Sequence, residues 1–397
     1  MGAQVLPDSN IWNPADYGIS GPLVNSRSAA VMDAETGTLL FVKNPDEEIP
    51  PASLTKLMTI HLALNQVLLG RISLDREINP PRESWAINQP PRSSLMFLAD
   101  GQRTSLHELL LGLAVSSGND AAVAVALCLA PSVKDFTDMM NREAATLGLQ
   151  KARFDEPSGI SEFNMTTARE FTQFCRIYIQ NHPETLANYH SVPVFAYPKA
   201  ENVAPVFRSR PGTIVQYNSN KLLGVVEGVD GLKTGYIDEA GYNIALTARR
   251  GDTRIIAVVL GAPLNGGEQI RNDDGQRLIN WAFDNFKTLK LPEPDLNQLR
   301  IWKGKSEYVS VVPGFSVKDG LPFLTVPANR GPVLYQKTEL TDPLIAPLPA
   351  GSIAGELIYF DNAGELYRVP LITAEEAEKG GFFIRLIDSI RLFFHWT

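Results

Sequence analysis

Cysteine is nearly absent: Cys128 and Cys175 are the only two in 397 residues, too few for a disulfide framework. They also lack the clustered Cys/His spacing of a zinc site. No stretch is both long and apolar enough to span a bilayer. Long basic runs are missing and the formal net charge is −8, so the chain lacks the basic face of a nucleic-acid binder. The five histidines are scattered at 61, 107, 182, 190 and 395. None accompanies a G-x-S-x-G elbow, which argues against a Ser-His-Asp hydrolase. Internal repeats and low-complexity tracts are absent. The start, Met1-Gly2-Ala3-Gln4-Val5, has neither a charged n-region nor an apolar h-region. It reads as a mature chain behind an added Met, its signal peptide removed, although a cytosolic protein would begin the same way.

What is present describes a globular protein. Hydrophobic residues make up 44% and charged residues 20%, a balance that excludes disorder. The length exceeds one ordinary core and implies two or three domains. Residues 29–33 and 38–42 flank a polar turn and read as a β-hairpin. A helix is expected from Ser53 to Leu68, ending at Gly70. The segment Ser105–Leu129 is apolar and mostly helical. Residues 230–236, 242–248 and 254–260 read as three consecutive antiparallel strands, and Gly275–Phe286 as a helix. The order predicts a mixed α+β (α/β) fold, an antiparallel sheet flanked by helices. Leu291-Pro292-Glu293-Pro294 reads as a linker, followed by short β-like runs separated by Gly, Pro and Asn. The expected organisation is an N-terminal extension (1–25), a large domain (26–290), a small β-rich domain (291–375) and an amphipathic helix (376–397). In that helix Phe383, Leu386, Ile387, Ile390, Phe393 and Phe394 share one face, with Arg385, Asp388, Ser389 and Arg391 on the other. Such a pattern suits a membrane interface, or a helix that docks on its own protein or dimerises.

Three short segments carry chemistry. In Pro51-Ala52-Ser53-Leu54-Thr55-Lys56, the Ser and Lys lie three apart on one helical face, their Cβ atoms about 5–6 Å apart. Apolar neighbours would desolvate Lys56, lower its pKa and let a neutral amine take the Ser53 proton. Alone, the pair is a weak signal and reads more readily as a surface lysine passing a buried helix. In Ser116-Ser117-Gly118-Asn119, polar groups interrupt an apolar helical region and need partners. Ser117 could relay protons and Asn119 could bond an amide, or Ser117-Gly118-Asn119 could be a helix cap or a satisfied turn. In Asp230-Gly231-Leu232-Lys233-Thr234-Gly235-Tyr236, a strand offers a cation, a hydroxyl and a glycine to an extended anionic ligand. By itself it could be an edge strand with a solvated lysine.

In this order and at these separations the three segments match a known signature of penicillin-binding proteins and class A β-lactamases. The chain resembles the low-molecular-mass penicillin-binding proteins of the 5/6 type, which are D-alanyl-D-alanine carboxypeptidases. Pro51–Met58, Ser94–Leu98, Ser117–Ala122, Gly228–Gly235, the small β domain and the closing helix carry the resemblance. It implies a penicillin-binding, serine β-lactamase-like fold with no metal or organic cofactor. Ser53 is then the nucleophile, Lys56 its base, and Ser117 and Asn119 proton-transfer and substrate-binding groups. Lys233 and Thr234, beside Gly235, hold the terminal carboxylate, and the backbone N–H groups of Ser53 and Tyr236 form the oxyanion hole. Arg271 stands where the family has an arginine reaching the carboxylate, or is a surface helix arginine. The implied partners are peptidoglycan pentapeptides, β-lactam antibiotics and a membrane surface met through the C-terminal helix. The implied location is the periplasm, peripheral on the outer face of the inner membrane.

Two departures stand out. Tyr236 replaces the His that often follows Lys-Thr-Gly in the family. Glu156-Pro157 is similar to the deacylating loop of class A β-lactamases, but Ile160 stands where that loop has Asn. Slow release of bound β-lactam is therefore expected, not efficient hydrolysis. The competing readings are a β-lactamase or a cross-link endopeptidase with the same site, and a non-catalytic wall-binding scaffold.

Overall fold

A computed structural model describes residues 18–296, 298–314, 323–331, 334–341 and 343–395. Most of the N-terminal extension (1–17) and Trp396 lie outside the described residues. The chain forms two compact units, Met1–Asn285 and Phe286–Thr397.

The first unit opens with strands β1 (Ser28–Asp33) and β2 (Leu39–Lys43). A 3₁₀ turn, Ala52–Thr55, leads into α1 (Lys56–Leu68). A short pair, β3 (Glu77–Ile78) and β4 (Thr104–Ser105), precedes α2 (Leu106–Leu111), α3 (Asn119–Leu129), α4 (Val133–Thr146) and α5 (Ala168–Asn181). Ser105, Ser132 and Thr167 cap α2, α4 and α5 by accepting backbone N–H groups at their N-termini. A hairpin of β5 (Val194–Tyr197) and β6 (Ile214–Tyr217) follows. Then come β7 (Val229–Ile237), β8 (Gly241–Arg250), β9 (Thr253–Ala262) and α6 (Gly267–Asn285).

The main sheet has the order β2-β1-β9-β8-β7, with every neighbouring pair antiparallel. All positions of β9 are buried because helices cover both faces of the sheet. Alternate residues Ile256, Val258 and Leu260 join one core with Phe171 and Phe174 of α5. On the other face α6 packs on β8 and β9, where Gly275 meets Leu246 and Ile244. This arrangement leaves β7, with Lys-Thr-Gly, at the sheet edge.

Three expectations need adjustment. The helical segment Ser105–Leu129 is broken: after α2 a π-helical turn spans Gly112–Ser116, and Ser117 takes a left-handed conformation at φ +58°. Helix α6 begins at Gly267, not Gly275, so Arg271 lies inside it. The division between units falls at Phe286, not at 291, because Phe286–Lys290 forms β10 and pairs with a strand of the second unit. Leu291 is buried in that unit's core with Leu357, Tyr359, Val369 and Leu371, so the Leu291–Pro294 linker is corrected to a packed segment.

The second unit contains β10, β11 (Leu299–Arg300), β12 (Tyr308–Val309), β13 (Val311–Pro313), β14 (Phe323–Pro327), β15 (Tyr335–Leu340), β16 (Ile353–Asp361) and β17 (Gly364–Thr373). Its largest sheet has the order β13-β17-β16-β15. The chain closes with α7 (Phe382–His395). Asp388, 9% exposed, accepts the Lys303 backbone N–H at 2.7 Å and ties α7 to its own unit. Most apolar residues of α7, including all four phenylalanines, remain exposed.

Candidate active site

The site begins at the turn before α1. Ala52 adopts φ +51°, and the chain then winds through Ser53 into the helix, with Lys56 one turn on. Lys56 Nζ has three oxygen neighbours: Ser53 Oγ at 2.9 Å, Asn119 Oδ1 at 2.8 Å and the Ser158 carbonyl at 2.5 Å. Lys56 is fully buried, and that burial lowers its pKa to about 7 against the pull of Glu156 and Asp120. A neutral amine has two N–H donors and one lone pair. Asn119 Oδ1 and the Ser158 carbonyl can only accept. The lone pair is then left for Ser53, the one neighbour with a proton to give.

Asn119 is held from behind. Its amide donates to Ser93 Oγ at 3.1 Å, and its backbone N–H to the Ser94 carbonyl at 2.8 Å. The loop carrying Ser93 and Ser94 is fastened by Asp120. This buried carboxylate accepts the N–H groups of Met96, Phe97 and Leu98 at 2.8, 2.7 and 3.0 Å. Burial still raises the Asp120 pKa, with these backbone bonds opposing the shift. Ser117 is also buried, two residues before Asn119 at the break between helices.

Strand β7 supplies the opposite wall. A Cβ on Gly235 would lie 2.8 Å from the Pro51 carbonyl oxygen and 3.0 Å from the Ser53 nitrogen. Only glycine lets the strand come this close to the nucleophile turn. Lys233 is buried, and its Nζ donates to the Thr234 carbonyl at 3.1 Å. Its pKa is pushed well below the ordinary lysine value, first by burial and then by the charges of Lys56 and Arg271. Thr234 Oγ1 lies 2.6 Å from Ser219 Oγ. Arg271, an open question in the sequence, is 4% exposed and within electrostatic reach of Lys233. Tyr236 is half-exposed, and its hydroxyl donates to Asp238 at 2.5 Å. Ser53, Lys56 and Asn119 thus form one hydrogen-bonded group, which Gly235 adjoins. Lys233, Thr234 and Arg271 add a wall of hydrogen-bond donors suited to an anion.

Glu156 is consumed by its own loop. It accepts the Ser158 N–H and hydroxyl at 2.7 and 2.6 Å, the Gly159 N–H at 2.5 Å and the Asn164 amide at 3.1 Å. Asn164 also donates to Thr55 Oγ1 at 3.2 Å, fastening the loop to the nucleophile turn. Among the described residues, no group of three or more His, Cys, Asp and Glu side chains is placed to hold a metal ion.

Sequence reasoning gave no role to Ser93, Asp120, Ser158 or Ser219. Only Asp120 carried a signal: a carboxylate in an apolar helix needs donors. The other three contacts join separate segments, 26, 102 and 15 residues apart in the chain.

Known proteins similar to this chain fall in one family. The D-alanyl-D-alanine carboxypeptidase family profile matches residues 17–264, and the profile of the penicillin-binding protein 5 C-terminal domain matches residues 286–379. D-alanyl-D-alanine carboxypeptidase DacC of Escherichia coli is 33% identical over 96% of this chain and 91% of its own. The crystal structure of penicillin binding protein 5 from Haemophilus influenzae superposes with a TM-score of 0.76 at 28% identity, covering 91% of this chain and 100% of that one. Penicillin-binding protein D2 from Listeria monocytogenes, solved in its cefotaxime-bound form, covers 66% of this chain and 98% of its own at 29% identity and a TM-score of 0.57. With a serine and a desolvated lysine at its centre and these relatives around it, the chain belongs to the D-alanyl-D-alanine carboxypeptidase family.

Proposed function

We propose that the protein is a serine carboxypeptidase that removes the terminal D-alanine from peptidoglycan pentapeptides through an acyl-enzyme on Ser53. The observation that carries this reading is Lys56, buried and hydrogen-bonded so that its lone pair is left for Ser53 Oγ. Ser53 Oγ attacks the penultimate D-alanyl carbonyl while Lys56 takes its proton. The carbonyl oxygen becomes an oxyanion that accepts hydrogen bonds from the backbone N–H groups of Ser53 and Tyr236. β7 is an edge strand, and among the described residues the N–H groups on its outer side have no partner strand. The C–N bond then breaks, the amine of D-alanine leaves with a proton relayed by Lys56 and Ser117, and water releases the shortened peptide. Asn119 bonds the substrate amide, while Lys233, Thr234 and Arg271 hold the terminal carboxylate.

A β-lactam presents a strained amide and a carboxylate to the same groups, so Ser53 opens its ring and stays acylated. Glu156 is already engaged by donors of its own loop, which supports slow release in place of β-lactamase turnover. The test is D-alanine release from a peptide ending in D-Ala-D-Ala, with Ser53→Ala as control. Release that vanishes in the variant is expected; a folded wild type that releases none would overturn the reading.

The apolar face of α7, with Phe382, Phe383, Ile387, Ile390, Phe393 and Phe394 all exposed, supports attachment to a membrane surface. No helix of the described residues is long and apolar enough to cross a membrane. The protein would then sit on the outer face of the inner membrane, in the periplasm. Co-sedimentation with anionic vesicles should be lost when the chain is cut after Gly381, with D-alanine release unchanged. Equal sedimentation of both forms would refute the attachment.

A further inference from the structure

Arg271 reaches the site from α6 and not from the sheet, so its guanidinium needs something to fix its place. Its polar contacts are local. Nε and Nη2 donate to Oδ1 of the adjacent Asn272 at 3.2 and 3.0 Å, and Glu268 on the same helix lies 3.6 Å away. Across the fold, the guanidinium carbon lies 5.8 Å from the ring centre of Tyr242 on β8. The same ring lies 4.3 Å from that of Tyr236, tilted by 34°. Tyr236 directly follows Lys-Thr-Gly. Room for the Tyr242 ring is built into α6: a Cβ on Gly267 would come within 2.6 Å of Tyr242 Cδ2. An aromatic face attracts a guanidinium and stacks on a second ring, and a strand holds it more firmly than a loop does.

We propose that Tyr242 is a positioning residue of the carboxylate subsite. It holds Arg271 and Tyr236 in register with Lys233, so that a free C-terminal carboxylate is preferred to a capped one. This rests on the carboxypeptidase reading given above. Tyr242 touches no reacting atom and acts through its two neighbours. Its role is therefore recognition of the carboxylate, not acceleration of the bond-breaking step.

The test compares wild type with Tyr242→Phe, Tyr242→Leu and Tyr242→Ala on a D-Ala-D-Ala peptide and on its C-terminal amide. Tyr242→Phe keeps the aromatic face and should match wild type. Tyr242→Leu and Tyr242→Ala should raise KM for the free acid about fivefold, the size of one lost cation–π contact, with kcat within about twofold. Their preference for acid over amide should fall by the same factor. If Tyr242→Ala fails to fold, Tyr242→Leu preserves most of the bulk and reads the same quantity. Unchanged KM and preference, or an equal loss on acid and amide, would overturn the assignment. Acylation by a fluorescent penicillin, which carries its own carboxylate, separates the two levels of the argument. If wild type releases no D-alanine yet is acylated, the carboxypeptidase reading falls. The Tyr242 assignment is then decided by whether acylation slows in Tyr242→Leu and not in Tyr242→Phe.

Discussion

Replacing Gly159 by alanine should disable the enzyme from a position that bears no functional group. Gly159 has φ +86°, and a Cβ there would lie 1.9 Å from the Ala52 carbonyl oxygen and 2.9 Å from Thr55 Oγ1. Two costs follow. A left-handed backbone costs an L-residue roughly 1–2 kcal/mol. Relieving the collision costs roughly 1–3 kcal/mol more, as for other overpacked sites. The two can be separated, because Gly148 has φ +76° with nothing within 4 Å of its added Cβ. Gly148→Ala should therefore lose only the backbone part, about 1–2 kcal/mol. The collision in Gly159→Ala must displace either Ala52, next to Ser53, or the loop whose Ser158 carbonyl binds Lys56. A displacement of about 1 Å at a reacting group costs on the order of 10² in rate. The assays are thermal unfolding and the second-order rate of acylation by a fluorescent penicillin. Gly159→Ala should lose stability beyond Gly148→Ala and slow acylation about a hundredfold, while Gly148→Ala acylates normally. Acylation of Gly159→Ala within about threefold of wild type would refute the claim that this loop positions the nucleophile.

Acylation should rise with pH through a midpoint near 7 and then level off, because Lys56, with its pKa lowered to about 7, must be neutral to act; a profile flat from pH 5 to 9 would count against Lys56 as the base. The same depressed pKa makes the unfolded chain bind the Lys56 proton more tightly between pH 7 and 10.5, so stability should rise across that window. Lys56→Met should flatten that rise in denaturant titrations at several pH values. Ser219→Ala removes the 2.6 Å partner of the Thr234 hydroxyl, which should raise KM about fivefold for one neutral hydrogen bond with little change in kcat; an unchanged KM would show that Thr234 needs no such support. Pulse-labelled protein should shed its penicilloyl group far more slowly than it acquires it, and a chase with rapid loss of label would indicate that a water is activated despite the occupied Glu156.

Local patterns in the sequence carried the parts of the site that lie within single turns. Ser53 and Lys56 share one turn, and Lys233, Thr234 and Gly235 share one strand, so spacing alone brings each group together. Lys56 could be read as desolvated because its helix neighbours are apolar. The Ser158 carbonyl could not be foreseen, since it meets Lys56 across 102 residues through backbone and not through a recognisable side chain. The break at Ser117 was hidden inside a strongly apolar run, because what stops the helix is one residue in a left-handed conformation. The start of α6 was missed because Gly266 and Gly267 look like loop, whereas Gly267 is there to admit Tyr242. The division between units shifted because β10 pairs with a strand that lies beyond a long stretch of intervening chain.

Helix α7 is turned inside out relative to an ordinary surface helix. Asp388 faces its own unit, and the phenylalanines and isoleucines face the solvent. In water alone such a face meets its own kind, so the colloidal state of the purified protein becomes a function of concentration and additive. Concentrated samples should associate through this stripe, detergent micelles should disperse them, and ionic strength should matter little to the balance. Removing the fourteen residues of α7 should therefore change the behaviour of this protein on a sizing column.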